Sequence, residues 1–346
     1  MANERTDAFV RHPTDGHRRD LVLVVALLVV TLASLDLMLQ RLGVQPSFGN
    51  EPGPWAVERE RALDPAAFVL VGSPRFQLAL DPAEIQKRLP NHTVSNLSVL
   101  GQSPLPVLED LAHDPKFRGV VLFEFHPWRM YTRDDADIEK SRRFVDAYHR
   151  RPWISDLEHS LRAPLQASLT FLNPEYNLKW AAHQLIASAV DPTVRFQAQQ
   201  FQRVLANRHA PRDFEGWNAL AYSAQRVAGW KEEIGEAALD EQQIDRRMSD
   251  IETWTSMIRG RGGRVIFLRS ISYGPTRAFE RDHFPREQRW DRFASTISDR
   301  AFHFEDMGLG VYDCPDDSHM DWRDSARYSA DLVEALVEAG AIERGK

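Results

Sequence analysis

The sequence predicts an α/β domain, a parallel sheet flanked by helices, carried behind a single membrane-spanning helix. Two observations lead there: short apolar runs that alternate with helix-period segments, and one apolar stretch of membrane length near the N-terminus. A third bounds the answer, because 346 residues with 43% hydrophobic and 10% aromatic side chains fill a sizeable core.

From Leu21 to Leu39 almost every residue is Leu, Val or Ala, interrupted by Thr31, Ser34 and Asp36. At about 1.5 Å per residue this stretch nearly crosses a hydrocarbon core of about 30 Å, so residues 21–42 read as a transmembrane helix. A cleaved signal peptide and a buried core helix are the alternatives, and the missing small-x-small cleavage site favours an anchor. Arg5, Arg11, Arg18 and Arg19 precede the stretch, and the positive-inside tendency assigns residues 1–20 to the cytoplasm as a tail. The bulk of the chain is then extracytoplasmic. Asp36, near the outer end of the span, reads as a carboxylate snorkelling to the headgroups rather than as a partner contact.

Residues 43–63, with Gln45-Pro46 and Glu51-Pro52-Gly53-Pro54, read as a linker, and the folded domain spans 64–346. Within it, Ala67–Val71 is a buried strand, Pro82–Leu89 a helix with Ile85 and Leu89 on one face, and Thr93–Leu100 a second strand closing on Gly101. Pro104–Leu111 is a short helix and Gly119–Phe125 a third strand, which completes a β-α-β-α-β order. Strand signals then vanish from Asp134 to Arg259, a helical insertion rich in Ala, Gln, Leu and Arg. There Trp153 and the four-residue spacing of Leu157, Leu161, Leu165 and Leu169 read as a core-facing stripe in preference to a membrane or partner surface. Ile244, Met248, Ile251, Thr255 and Ile258 form a second stripe, which Gly260-Arg261-Gly262-Gly263 stops before a fourth strand, Arg264–Arg269. A last helix from Asp324 to Glu343 carries Tyr328, Leu332, Leu336 and Val337 on one side.

Several function classes drop out. A net charge of −7, from 43 basic and 50 acidic residues spread along the chain, leaves no basic stripe for nucleic acid. The lone Cys314 excludes an internal disulfide and a cysteine zinc cluster, and His113, His126, His303 and His319 are too scattered to nominate a metal site. No glycine-rich phosphate cradle is present, so neither cofactor nor metal is expected.

Two segments carry candidate chemistry: Phe68-Val69-Leu70-Val71-Gly72-Ser73-Pro74-Arg75, and Asp316-Asp317-Ser318-His319. Acyl transfer through serine needs a hydroxyl, an imidazole to take its proton, a carboxylate to orient the ring, and donors for the oxyanion. Ser73 is the hydroxyl candidate, His319 the base and Asp316 its orienting carboxylate, with Asp317 as the substitute. Arg75 is either a substrate-binding cation, facing a sugar or carboxylate, or a surface arginine. The dense charges of Arg277–Arg292 read as a solvated loop face, or as a groove for an acidic glycan.

Over Asp64–Glu124 and Arg264–Glu338 these blocks make the chain resemble the SGNH or GDSL hydrolases, and more closely their membrane-anchored bacterial branch associated with acylation of cell-surface polysaccharides. The resemblance implies a flavodoxin-like parallel sheet (SGNH-hydrolase-like), interrupted by the helical insertion at about 134–259 and preceded by the transmembrane helix. It implies a single-pass protein of a bacterial inner membrane with a periplasmic domain. Its function would be that of an O-acyltransferase or esterase on a cell-surface polysaccharide, beside a multi-pass acyl-transfer membrane protein. Asn96-Leu97-Ser98-Val99-Leu100-Gly101 matches the family's second block, which makes the Gly101 N–H an oxyanion donor. The third block is replaced by Glu124-Phe125-His126-Pro127, where His126 is either a second donor or a structural histidine. The first block departs: Gly72-Ser73-Pro74 sets a proline where the family places its serine, and proline has neither a nucleophile nor an N–H. Either Ser73 Oγ itself turns to His319, or acyl chemistry is lost and the domain is a binding or assembly subunit.

Overall fold

The structure is a computed structural model, in which residues 15–190 and 203–344 are described. The expectations for Arg5 and Arg11 in the N-terminal tail therefore lie outside the described residues. In chain order the helices and strands begin α1 (Asp15–Arg41), α2 (Pro52–Arg61), β1 (Ala67–Val71), α3 (Pro74–Ala79), α4 (Pro82–Arg88), β2 (Thr93–Asn96), α5 (Leu105–His113) and β3 (Val120–Phe125). There follow α6 (Pro127–Tyr131), α7 (Asp135–Arg150), α8 (Ser155–Ser168), α9 (Leu178–Val190), α10 (Ala219–Ala237) and α11 (Glu241–Arg259). The chain closes with β4 (Arg264–Arg269), α12 (Gly274–His283), α13 (Arg292–Thr296), β5 (Arg300–His303) and α14 (Trp322–Glu338). It divides into two compact units, Met1–Pro46 with Leu169–Gln199, and Ser47–Ser168 with Gln200–Lys346.

The first unit is built on α1. Among the described residues, its segment His17–Arg41 is the one helix long and apolar enough to cross a membrane. Leu21, Leu23, Leu27 and Val30 are all more than 60% exposed, which removes the buried-core-helix alternative. Asp36 does not snorkel. Its carboxylate is buried and accepts the Phe171 N–H at 3.2 Å and Gln40 Nε2 at 2.6 Å, because residues 169–173 fold back onto this end of the helix. Asn173 Nδ2 donates to the Gln45 carbonyl at 2.9 Å and fastens the same segment.

The second unit holds a five-stranded, all-parallel sheet in the order β2-β1-β3-β4-β5. This is the doubly wound 2-1-3-4-5 order, which reverses direction between β1 and β3. The central strands are continuous apolar runs because both faces are covered. Phe68, Leu70, Leu122, Ile266 and Leu268 pack on one side with residues of α3, α4 and α14, and Val69, Val71, Phe123, Phe125 and Phe267 pack on the other with residues of α5, α11 and α13. Gly72 leaves β1 where α3 crosses it closely: a Cβ there would lie 2.5 Å from Phe76 Cβ.

Several expectations are corrected. Residues 52–61 are no linker but α2, which buries Trp55, Ala56, Glu58 and Arg59; proline at the first helical position starts a helix as readily as it marks a turn. The second strand stops at Asn96 rather than Leu100, although Leu97 and Val99 still donate to the Leu70 and Gly72 carbonyls. Leu157, Leu161 and Leu165 are 53 to 66% exposed and Trp153 85%, so this stripe of α8 is not core; the helix buries Gln166 from its opposite side. Glu280, within the charge-dense stretch read as a solvated face, is buried, while Arg281 and Asp282 beside it are exposed.

Gly72→Ala should cost about 1–3 kcal/mol of stability by overpacking against Phe76, read as a lowered urea midpoint of the full chain in detergent.

Candidate active site

The site lies at the carboxyl ends of the strands, beside the reversal between β1 and β3 where doubly wound sheets place their ligands. The chain leaves β1 through Gly72 and Ser73. The Ser73 N–H donates to Glu124 Oε2 at 2.6 Å, and Ser270 Oγ, just past β4, donates to Glu124 Oε1 at 2.8 Å. One buried carboxylate at the end of β3 thus ties three strand ends together. Arg75 is no surface arginine: it is 3% exposed and pairs through Nη2 with Glu280 of α12 at 2.7 Å. Glu280 also receives Arg269 and Ser272 Oγ, and although burial alone would raise its carboxyl, Arg269 and Arg75 hold it down at about 2.

Asp316 and His319 come together as the sequence spacing implies. His319 Nδ1 lies 2.6 Å from Asp316 Oδ2, and the His319 N–H donates to Asp316 Oδ1 at 2.8 Å. Burial would raise the Asp316 carboxyl, but the His319 ring, these hydrogen bonds and Arg226 outweigh it and keep the group ionised far below the ordinary range. Burial also pushes the His319 imidazole down to about 4, against the pull of Asp316 and with the help of Arg212 and Arg226. The ring is neutral near pH 7, Nδ1–H faces the carboxylate, and Nε2 is the nitrogen left to take a proton. Arg226 Nη1 approaches Nδ1 at 3.5 Å, but the much shorter carboxylate contact fixes the proton on Nδ1 and leaves Arg226 to serve Asp316 Oδ2 at 3.3 Å.

Ser73 is not joined to this pair. Its Oγ accepts the Arg75 N–H at 3.3 Å as the N-cap of α3, with Pro74 in the first turn, and among the described residues no hydrogen bond links it to His319. Gly101 sits in an exposed turn with φ +64°, and no hydrogen bond ties it to the Asp316–His319 pair among the described residues. His126 follows β3 directly, buried, with an Nδ1 that has no partner. Burial pushes its ring well below the ordinary value, and Arg75, Arg129, Arg269 and His319 act in the same direction. It lines a cavity of about 300 Å³ with Trp128, Arg129, Asp134, Asp137, Trp230 and Glu233.

Arg226 is the residue that sequence reasoning missed. It stands on α10 within the helical insertion, donates to the Asp316 carbonyl at 2.7 Å and to Thr276 Oγ1 at 2.9 Å, and lies over the ring of Trp230 at 5.2 Å. The four-residue spacing of Tyr222, Arg226 and Trp230 was the available signal, since it puts all three on one face. Asp317, the substitute carboxylate, instead accepts Ser223 Oγ and adopts φ +70°. Its side chain crowds Gly274, where an added Cβ would lie 2.5 Å from Oδ1.

Because His319 falls from an ordinary value near 6.5 when unfolded to about 4 when folded, the unfolded chain binds its proton first as the pH drops. Stability is therefore lost between about pH 6.5 and pH 4, by roughly 3 kcal/mol for this ring. His319→Gln should reduce the proton uptake on unfolding at pH 5 by about one, measured from the pH dependence of the urea midpoint. Arg226→Met removes a nearby cation and should raise the His319 titration midpoint in an NMR pH series.

Compared with known proteins, the chain matches no family model, and no curated protein matches it.

Proposed function

We propose that this is a membrane-anchored, extracytoplasmic protein of the SGNH-hydrolase type that transfers or removes acyl groups on a cell-surface polysaccharide. The observation that carries the reading is the Asp316–His319 pair, oriented at 2.6 Å at the carboxyl end of the sheet. The 2-1-3-4-5 strand order, the resemblance of the Gly72 and Asp316–His319 blocks, and the apolar helix with Arg18 and Arg19 at its start support it. In this reading Ser73 Oγ attacks the acyl carbonyl and gives its proton to His319 Nε2. The Gly101 N–H and His126 face the oxyanion. His319 then protonates the leaving hydroxyl, and water or a sugar hydroxyl resolves the acyl-Ser73 ester by the reverse sequence. Ser73 must first leave its cap. The 3.3 Å bond is long, and its loss costs about 1 kcal/mol. A multi-pass acyl-transfer membrane protein is the partner this reading implies.

The capped Ser73 and the proline beside it favour a second reading, a binding or assembly subunit that has kept the fold without the nucleophile. A fluorophosphonate probe separates the two. Catalysis predicts labelling of the full chain that disappears in Ser73→Ala and in His319→Ala. No labelling of the wild type, with labelling gained in Pro74→Ser, establishes the second reading and sinks the first.

A further inference from the structure

We propose that α9 is an interfacial membrane helix, lying in the bilayer surface with the stripe Leu178, Ala182, Ile186 and Val190 in the acyl region and held there by Asp36. The inference concerns the first unit alone and rests on reading α1 as a span.

All four stripe residues are exposed, and Leu178, Ile186 and Val190 are 62 to 81% exposed. Their spacing of four places them along one line of the helix. Lys179 and His183, one position on, form an exposed polar line beside it, and Ala181 is turned the other way and buried. Lys179 and His183, both near the start of the helix, can reach the headgroups with their polar ends while the stripe faces the acyl chains.

Continuity with the span identifies the apolar medium. Asp36 follows Leu21 by about 22 Å of helix, against a hydrocarbon core of about 30 Å. A carboxylate at that depth requires partners, and the Phe171 N–H supplies one at 3.2 Å. Phe171 therefore sits at the level of Asp36, at the edge of the bilayer, and α9 begins a few residues later. Tyr176 and Trp180, whose rings meet edge to face at 5.0 Å, flank its start, the residue types that settle at headgroup level. A bilayer covers such a stripe without any second protein.

The test places single cysteines in the full-length Cys314→Ser chain, each carrying an environment-sensitive fluorophore, in phosphatidylcholine–phosphatidylglycerol vesicles with or without brominated acyl chains. The label at Ile186→Cys should lose most of its emission to brominated lipid and little to aqueous iodide, and Val25→Cys on α1 should do the same. Adding Asp36→Ala should return the Ile186 label to iodide while the Val25 label stays in lipid. Quenching of Ile186 by iodide with Val25 still quenched by lipid overturns the inference alone. Quenching of both by iodide overturns it together with the span. Shielding of Ile186 from both quenchers means that a second copy covers the stripe, which overturns lipid as its occupant.

Discussion

The buried carboxylate of Glu124 is the constraint on which the functional end of the sheet depends. It accepts from the Ser73 N–H after β1 and from Ser270 Oγ after β4, so the three central strands finish at one fixed point. Ser73, pinned in this way, caps α3, and Arg75 on that helix pairs with Glu280. Arg269, the last residue of β4, and Ser272, just after it, close on the same Glu280. Removing one member of such a buried ionic group leaves a charge without compensation, at about 3–5 kcal/mol. The region is therefore held by buried polar contacts as well as by apolar packing.

The neighbouring imidazole is held by buried polar contacts of its own. Asp316 is held on three sides, by the His319 backbone and ring and by Arg226, so the ring has one orientation and one tautomer. Burial above all, with Arg212 and Arg226 beside it, disfavours a protonated ring, which keeps His319 available as an acceptor over the whole neutral range. Two demands that usually conflict, strong orientation by a carboxylate and a low imidazole pKa, are met together because burial disfavours the charged ring, with Arg212 and Arg226 acting in the same direction.

The fold was legible where physics writes it into short windows. β1, β3 and β4 are buried on both faces and show as apolar runs, and the α11 stripe followed by a glycine stop reads correctly. β5, Arg-Ala-Phe-His, is an edge strand with little apolar content and left no signal. Prolines hide α2 from the sequence, because Pro52 in a Pro- and Gly-rich stretch reads as a linker although it occupies a first helical turn. At the site, Asp316 and His319 were legible from a three-residue spacing, whereas Arg226 arrives from a helix ninety residues upstream, which only tertiary packing reveals. Asp36 was misjudged for the same reason: Phe171 is far away in sequence and 3.2 Å away in space.

Pro74 has a further consequence in genetic terms. The first turn of a helix accepts proline and serine alike, with a difference in stability of about 1 kcal/mol or less. Their codons differ at a single base. The step between a hydroxyl and an inert ring at this position is thus one mutation wide and nearly silent to folding, so the protein can cross it in either direction without compensating changes elsewhere.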